Sequence, residues 1–279
     1  MSEKIVFLER NTFNNEFRRP GFDHEWTEYG ETDAGEVVER LRDATIVICN
    51  KLALREDVLS QLPGLKLIAV AATGTDNVDL DYCRTHHIAV CNTRGYAVNS
   101  LPEHALMLML ALRRNLVAYR DDVKAGRWHT ARKFCLLDHP IGDLRGTVLG
   151  IVGFGTLGRA MAGLGRAIGM EVIVAERKIA TSAREGRRSF SDVLQSSDVL
   201  SLHCPLTEET KNLIGAGELS QMKRDALLIN TARGGLIDDQ ALLDALKSGR
   251  IGGAGIDVLR VEPPRDGIRC WMRICPTSS

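Results

Sequence analysis

The stretch Val148-Leu149-Gly150-Ile151-Val152-Gly153-Phe154-Gly155-Thr156-Leu157-Gly158 decides the fold. An aliphatic run of strand length ends in G-x-G-x-x-G, and helical spacing follows over Leu157–Ile168. In such a turn Gly153 permits the tight bend, Gly155 lets backbone approach a pyrophosphate, and Gly158 lets helix pack on strand. Free N–H groups and a partial positive charge at the helix start favour phosphate. Gly153, Phe154, Gly155, Thr156, Leu157 and Gly158 are therefore candidate cofactor-binding residues, with a purely structural glycine turn as the alternative. The next strand-like run ends in Glu176, at roughly the 20-residue spacing of a ribose-binding carboxylate. A carboxylate there accepts both ribose hydroxyls and repels a 2′-phosphate, which points to NAD. Arg177 and Lys178 follow at once, and either soften that choice or form a solvated loop.

Working outward, Thr147–Gly153, Glu171–Glu176, Asp198–His203, Ala226–Thr231 and Ile251–Asp257 read as strands. Helical stretches Leu157–Ile168, Ser191–Ser196, Ala216–Met222 and Asp238–Ser248 separate them, the pattern of a doubly wound parallel sheet. Towards the N-terminus, strand-like runs Lys4–Glu9, Thr45–Cys49, Lys66–Ala71 and Ile88–Cys91 alternate with helical Ala34–Arg42 and Arg55–Leu62. They form a second α/β domain, also parallel and covered on both faces. Between the two, Ser100, Pro102 and Glu103 predict a capping box that opens a long apolar helix through Ala105–Leu112, the connector between domains. After it, Tyr119–Pro140 shows no clear periodicity and holds Trp128, His129, Phe134 and Cys135, as an interface arm would.

The 279 residues carry no net charge, so no basic footprint for nucleic acid is present. The hydrophobic share of 44% and charged share of 26% are those of a globular chain. Seven cysteines without a C-x-x-C suggest neither a disulfide framework nor a metal cluster, and no metal is expected. Charges in MSEKIVFLER replace the apolar run of a signal peptide, and Ala105–Leu112 is far short of a membrane span. A cytoplasmic protein without membrane contact is the expectation.

Several further motifs occur in order along the chain. They are Ala72-Thr73-Gly74-Thr75-Asp76-Asn77-Val78-Asp79, Arg94-Gly95-Tyr96-Ala97-Val98-Asn99 and Pro102-Glu103-His104, then the glycine loop and Leu202-His203-Cys204-Pro205-Leu206-Thr207. Asn230-Thr231-Ala232-Arg233-Gly234-Gly235 and Gly255-Ile256-Asp257-Val258 complete the set. With these the chain resembles the D-isomer-specific 2-hydroxyacid dehydrogenases, most of all their glycerate dehydrogenase (hydroxypyruvate reductase) branch. The resemblance implies a flavodoxin-like substrate domain at 1–99 and a Rossmann domain for NAD at 100–267. It also implies hydride transfer between nicotinamide and a small D-2-hydroxy or 2-oxo acid such as glycerate, hydroxypyruvate or glyoxylate. By the same resemblance Arg233 grips the substrate carboxylate and polarises the reacting carbonyl. Asp257 binds the nicotinamide carboxamide. Glu262 pairs with a catalytic histidine and raises its pKa. Thr73 and Gly74 hold substrate, while His203, Cys204, Pro205, Thr231 and Ala232 line the cofactor cleft with Arg177. His203 and His104 also read as structural histidines. Dimerisation is implied through Tyr119–Pro140, with Trp128 and Phe134 as anchors.

The end of the sequence departs from that pattern. The family's proton donor is a histidine in a P-H pair about twenty residues beyond the position of Glu262, yet the last of the seven histidines is His203. Cys270-Trp271-Met272 must be encoded TGY-TGG-ATG, which in a shifted frame contains Leu-Asp codons. Extending that shift, Ile268–Ser278 becomes Asn-Pro-Leu-Leu-Asp-Ala-Asp-Leu-Pro-Asn-Leu, similar to the family's continuation. The expectation is a frameshifted tail at 268–279 and a second domain incomplete at its C-terminus. Ile251–Asp257 then becomes an open sheet edge. Loss of the proton donor lowers turnover by ~10²–10⁴. A catalytically silent NAD(H)-binding protein, or a truncated product without function, is the alternative to an enzyme.

Overall fold

Short aliphatic runs become parallel strands in a computed structural model that describes residues 2–264 and has two compact units, meeting in sequence at Tyr96 and Ala97. In the first unit the strands are β1 (Glu3–Phe7), β2 (His24–Glu28), β3 (Ile46–Cys49), β4 (Leu67–Val70) and β5 (Ala89–Asn92). Short helices α1 (Val37–Leu41), α2 (Glu56–Leu59) and α3 (Leu80–Thr85) connect them. All pairings are parallel and the order is β2-β1-β3-β4-β5, the flavodoxin-like order. Alternate strand residues Val47, Cys49, Ile68 and Val70 are buried with Leu41, Leu54, Leu59 and Leu62, which makes the core of this unit. Strand β2 was not expected. Its sequence, His-Glu-Trp-Thr-Glu, is polar because an edge strand buries little, so no apolar run announces it.

The second unit opens with α4 (Ser100–Arg113), α5 (Leu116–Lys124) and α6 (Arg127–Thr130). The capping box expected at Ser100 does not form. Asn99 is the N-cap without a side-chain bond, and the first turn is satisfied by backbone, as Leu101 N donates to Ala97 O at 3.2 Å. Part of Tyr119–Pro140 is helical rather than irregular. Asn115, in the left-handed region at φ 49°, ends α4 and restarts the chain as α5 in a new direction, which breaks the periodicity at that point. The remainder folds back, with Tyr119 Oη donating to His139 O at 2.7 Å and His139 Nε2 lying 2.9 Å from Asp122 Oδ2.

The second sheet contains β6 (Val148–Val152), β7 (Glu171–Val174), β8 (Val199–Leu202), β9 (Leu227–Asn230) and β10 (Gly253–Ile256) in the order β10-β9-β8-β6-β7. Helices α7 (Thr156–Ala167), α8 (Phe190–Ser196), α9 (Ala216–Gln221) and α10 (Asp239–Lys247) alternate with them. Beside β7 a single bridge joins Ala175 to Arg188. Taken as a third strand shortened to one residue, it completes the Rossmann order. Strands β8 and β9 are buried throughout, as a sheet covered on both faces requires. Strand β10 is an edge among the described residues, and α4 covers one face of it. A Cβ on Gly255 would stand 3.0 Å from Leu108 Cβ. The expected frameshifted tail at 268–279 lies outside the described residues.

Candidate functional site

Strand β6 ends at Val152, and Gly153 turns the chain at φ 92°, which only glycine adopts readily. A Cβ on Gly153 would lie 2.6 Å from Cys204 N, and His203 N donates to Val152 O at 2.7 Å. The glycine turn is thus pressed against His203-Cys204-Pro205 at the end of β8. Gly158 is held as closely, since its Cβ would stand 2.1 Å from Gly153 O. Gly155 differs from both. It caps α7, and a Cβ there would meet nothing within 4 Å. The fold does not need that hydrogen, but a pyrophosphate laid over the start of α7 does. The turn, the open approach and the free helix start therefore fit a dinucleotide.

His203 Nε2 lies 2.9 Å from Ser201 Oγ, and burial pushes its pKa down to about 4. It is neutral at pH 7, in keeping with a structural histidine. Burial likewise pushes the Cys204 thiol up to about 11, so it stays protonated.

At the end of β9 the fully buried Asn230 shapes the next turn. Its Nδ2 donates to Arg233 O at 2.8 Å and its Oδ1 accepts from Ala232 N at 3.1 Å. The sequence had given Asn230 no role; an asparagine at a strand end before a turn is the signal that would have found it. This holds Thr231, Ala232 and Arg233 at the C-terminal edge of the sheet. Arg233 is half-buried, with Nη1 donating to Ala232 O at 2.8 Å. A Cβ on Gly234 would lie 2.0 Å from Leu259 C, so the Leu259–Glu262 turn rests on the residue that follows Arg233. Within that turn Glu262 Oε1 accepts from Leu259 N at 2.8 Å. Asp257 follows β10, with its N donating to Asn230 O at 3.0 Å and its carboxylate 3.1 Å from His104 Nε2.

Glu176 ends the run through β7 and is 4% exposed. Arg184 Nη2 and Nε donate to its two oxygens at 2.6 and 2.7 Å, and Arg177 N adds a bond at 2.9 Å. Arg184 foremost holds this carboxyl well below the usual range. Nothing in the sequence flagged Arg184. In the first unit, Thr73 and Gly74 follow β4; Thr73 Oγ1 donates to Thr93 O at 3.0 Å. There Glu9 was also missed: its carboxylate accepts N–H groups from Asn50, Lys51 and Leu52 at 2.7 to 3.2 Å. Among the described residues no group of three or more His, Cys, Asp or Glu could hold a metal ion, and no helix is long and apolar enough to cross a membrane.

Residues 106–273 match the NAD-binding domain of the D-isomer specific 2-hydroxyacid dehydrogenases. The chain belongs to this family. A glycerate dehydrogenase of Methylorubrum extorquens is 49% identical over 268 residues, 96% of this chain and 84% of that protein. A glyoxylate reductase of Thermococcus litoralis is 38% identical over 248 residues, 85% of this chain and 74% of that one. Among solved structures, the NADPH-dependent glyoxylate/hydroxypyruvate reductase of Sinorhizobium meliloti with NADP and malonate matches at a TM-score of 0.79 and 27% identity, covering 95% of this chain and 82% of that one. As a D-2-hydroxyacid dehydrogenase the chain is an oxidoreductase that uses a nicotinamide cofactor to move hydride between hydroxy and oxo acids.

Proposed function

We propose that this dehydrogenase reduces a short 2-oxo acid, hydroxypyruvate or glyoxylate, to the D-2-hydroxy acid. The observation that carries the reading is Arg233 at the C-terminal edge of the sheet, on a turn that Asn230 shapes and that Gly234 seats against Leu259. A planar guanidinium matches a carboxylate and draws charge from the neighbouring carbonyl as it becomes an alkoxide. Asp257 accepts from the carboxamide end of the cofactor, and the Gly153–Gly158 turn holds its phosphates. When bound, the nicotinamide supplies the hydride. Thr73 and Gly74 offer backbone to the substrate carboxylate, and Glu262 would orient a protonated histidine only where the reading frame beyond codon 267 is restored. The names of the similar proteins support the small substrate.

Absorbance at the nicotinamide band tests this, with 2-oxo acids of increasing size offered to the 279-residue chain and to a protein whose reading frame is restored from codon 268. Turnover of hydroxypyruvate or glyoxylate by the frame-restored protein is expected, and Arg233→Ala should lower kcat/KM by about 10²-fold or more. Failure with every small 2-oxo acid would rule the proposal out.

The same proposal takes the chain as a cytoplasmic homodimer. The free thiols Cys49, Cys83, Cys91, Cys135 and Cys204 suit a reducing compartment. Leu106, Met107, Leu110, Ala111 and Leu116 line a groove of about 420 Å³ on α4 and α5, and Trp128 and Phe134 are exposed nearby in sequence. Light scattering at micromolar protein is expected to give twice the chain mass; a monomer would count against the dimer.

A further inference from the structure

The carboxylate at the end of β7 is fully occupied by donors of its own chain. A carboxylate offers about four acceptor positions. Glu176 Oε1 takes Arg177 N at 2.9 Å and Arg184 Nη2 at 2.6 Å; Oε2 takes Arg184 Nε at 2.7 Å and Arg184 N at 3.2 Å. A ribose diol can bind Glu176 only by displacing charge-assisted bonds, which are about twice as strong as neutral ones. The surrounding charge points the same way. Arg187 Nη1 stands 3.7 Å from Oε1. Lys178 is engaged with Glu218 at 2.7 Å and Arg188 with Glu171 at 3.1 Å, so neither enters the balance. Two guanidiniums, those of Arg184 and Arg187, thus stand within 4 Å of the one buried carboxylate. The Arg184 side chain is 59% exposed, and its Nη1 has no partner among the described residues.

We propose that Arg184, by closing on Glu176, makes the ribose end of this site accept a 2′-phosphate, so that the phosphorylated nicotinamide dinucleotide binds at least as well as NAD. The clamp cancels the charge that would repel the phosphate and turns a guanidinium edge towards it. Arg184 is therefore the specificity-determining residue, and the inference rests on the dinucleotide reading of the glycine turn.

The test is isothermal titration of the 279-residue chain with 5′-AMP and adenosine 2′,5′-bisphosphate, repeated with NADH and NADPH. The phosphorylated member of each pair is expected to bind as tightly as its partner or more tightly. Arg184→Ala should weaken the bisphosphate about tenfold, the worth of one charge-assisted bond, and leave AMP unchanged or tighter. Arg184→Gln keeps a hydrogen bond to Glu176 without the charge and should act alike, which guards against a folding defect in the first variant. Tighter binding of AMP and NADH by the unaltered chain would overturn the proposal. So would an equal loss of both nucleotides in Arg184→Gln. Binding of none of the four by a chain that still melts cooperatively would refute the dinucleotide site itself, and this inference with it.

Discussion

His104 Nε2 lies 3.1 Å from Asp257 Oδ1, a contact between residues 153 apart in sequence that ties the N-terminal half of α4 to the end of β10. Both side chains are 39% exposed, so the pair adds little to stability and its value is positional. Asp257 is the residue proposed to receive the nicotinamide carboxamide. His104→Ala should therefore weaken NADH about 2- to 10-fold, the worth of one hydrogen bond, while AMP binding stays unchanged. Calorimetric titration with the two ligands checks this, and an equal loss for both would remove the positional role.

The glycine turn separates fold from ligand. Gly153→Ala places a side chain at φ 92° and 2.6 Å from Cys204 N, both backbone constraints that cannot relax cheaply. We expect its thermal midpoint to fall sharply or soluble protein to disappear. Gly155→Ala meets nothing within 4 Å, so it should melt near the unaltered chain yet bind NADH at least tenfold more weakly. A Gly155→Ala protein with full affinity would show that no pyrophosphate lies there.

His203 makes stability depend on pH. Its folded pKa of about 4 lies below the ordinary value of 6.5, so between these values the unfolded chain binds the extra proton. Stability contributed by the neutral ring is complete above pH 6.5 and is lost as pH falls towards 4. The part-buried ring accounts for about 1–3 kcal/mol of that loss. Urea melts from pH 4 to pH 7 should show the slope, and His203→Gln should flatten it.

Glu9 is 8% exposed and follows β1, where it receives three backbone N–H groups from the loop after β3. That is the switch point of the first sheet, where adjacent connections leave in opposite directions. Glu9→Ala leaves those donors without their acceptor and should cost about 2 kcal/mol or more. Glu9→Gln, which keeps one acceptor oxygen, should recover part of it. Denaturant midpoints measure both.

Two of the misread segments share a cause. Strand β2 forms because β1 has a free edge to pair with, and nothing local marks its polar residues as a strand. Ser100 stands where a cap should, but Ala97 O already receives the Leu101 N–H that opens the turn. In both places a neighbour supplies the hydrogen bonds that local sequence rules assign to side chains.

Periodicity and the G-x-G-x-x-G turn act over a handful of residues, so the sequence alone determined both doubly wound units, nine of the ten strands and the glycine turn. Dihedral preference and the burial of alternate side chains are short-range properties, and a strand–turn–helix expresses them wherever it sits. The occupancy of Glu176 belongs to the tertiary structure. The residue type promised a free carboxylate for ribose, but the 177–188 loop returns to bridge Ala175 through Arg188 and thereby places Arg184 on both oxygens. Likewise only packing of α4 over β10 brings His104 to Asp257. A lone pair is filled by whichever donor the folded chain brings within about 3 Å, and that distance is set by packing between segments remote in sequence.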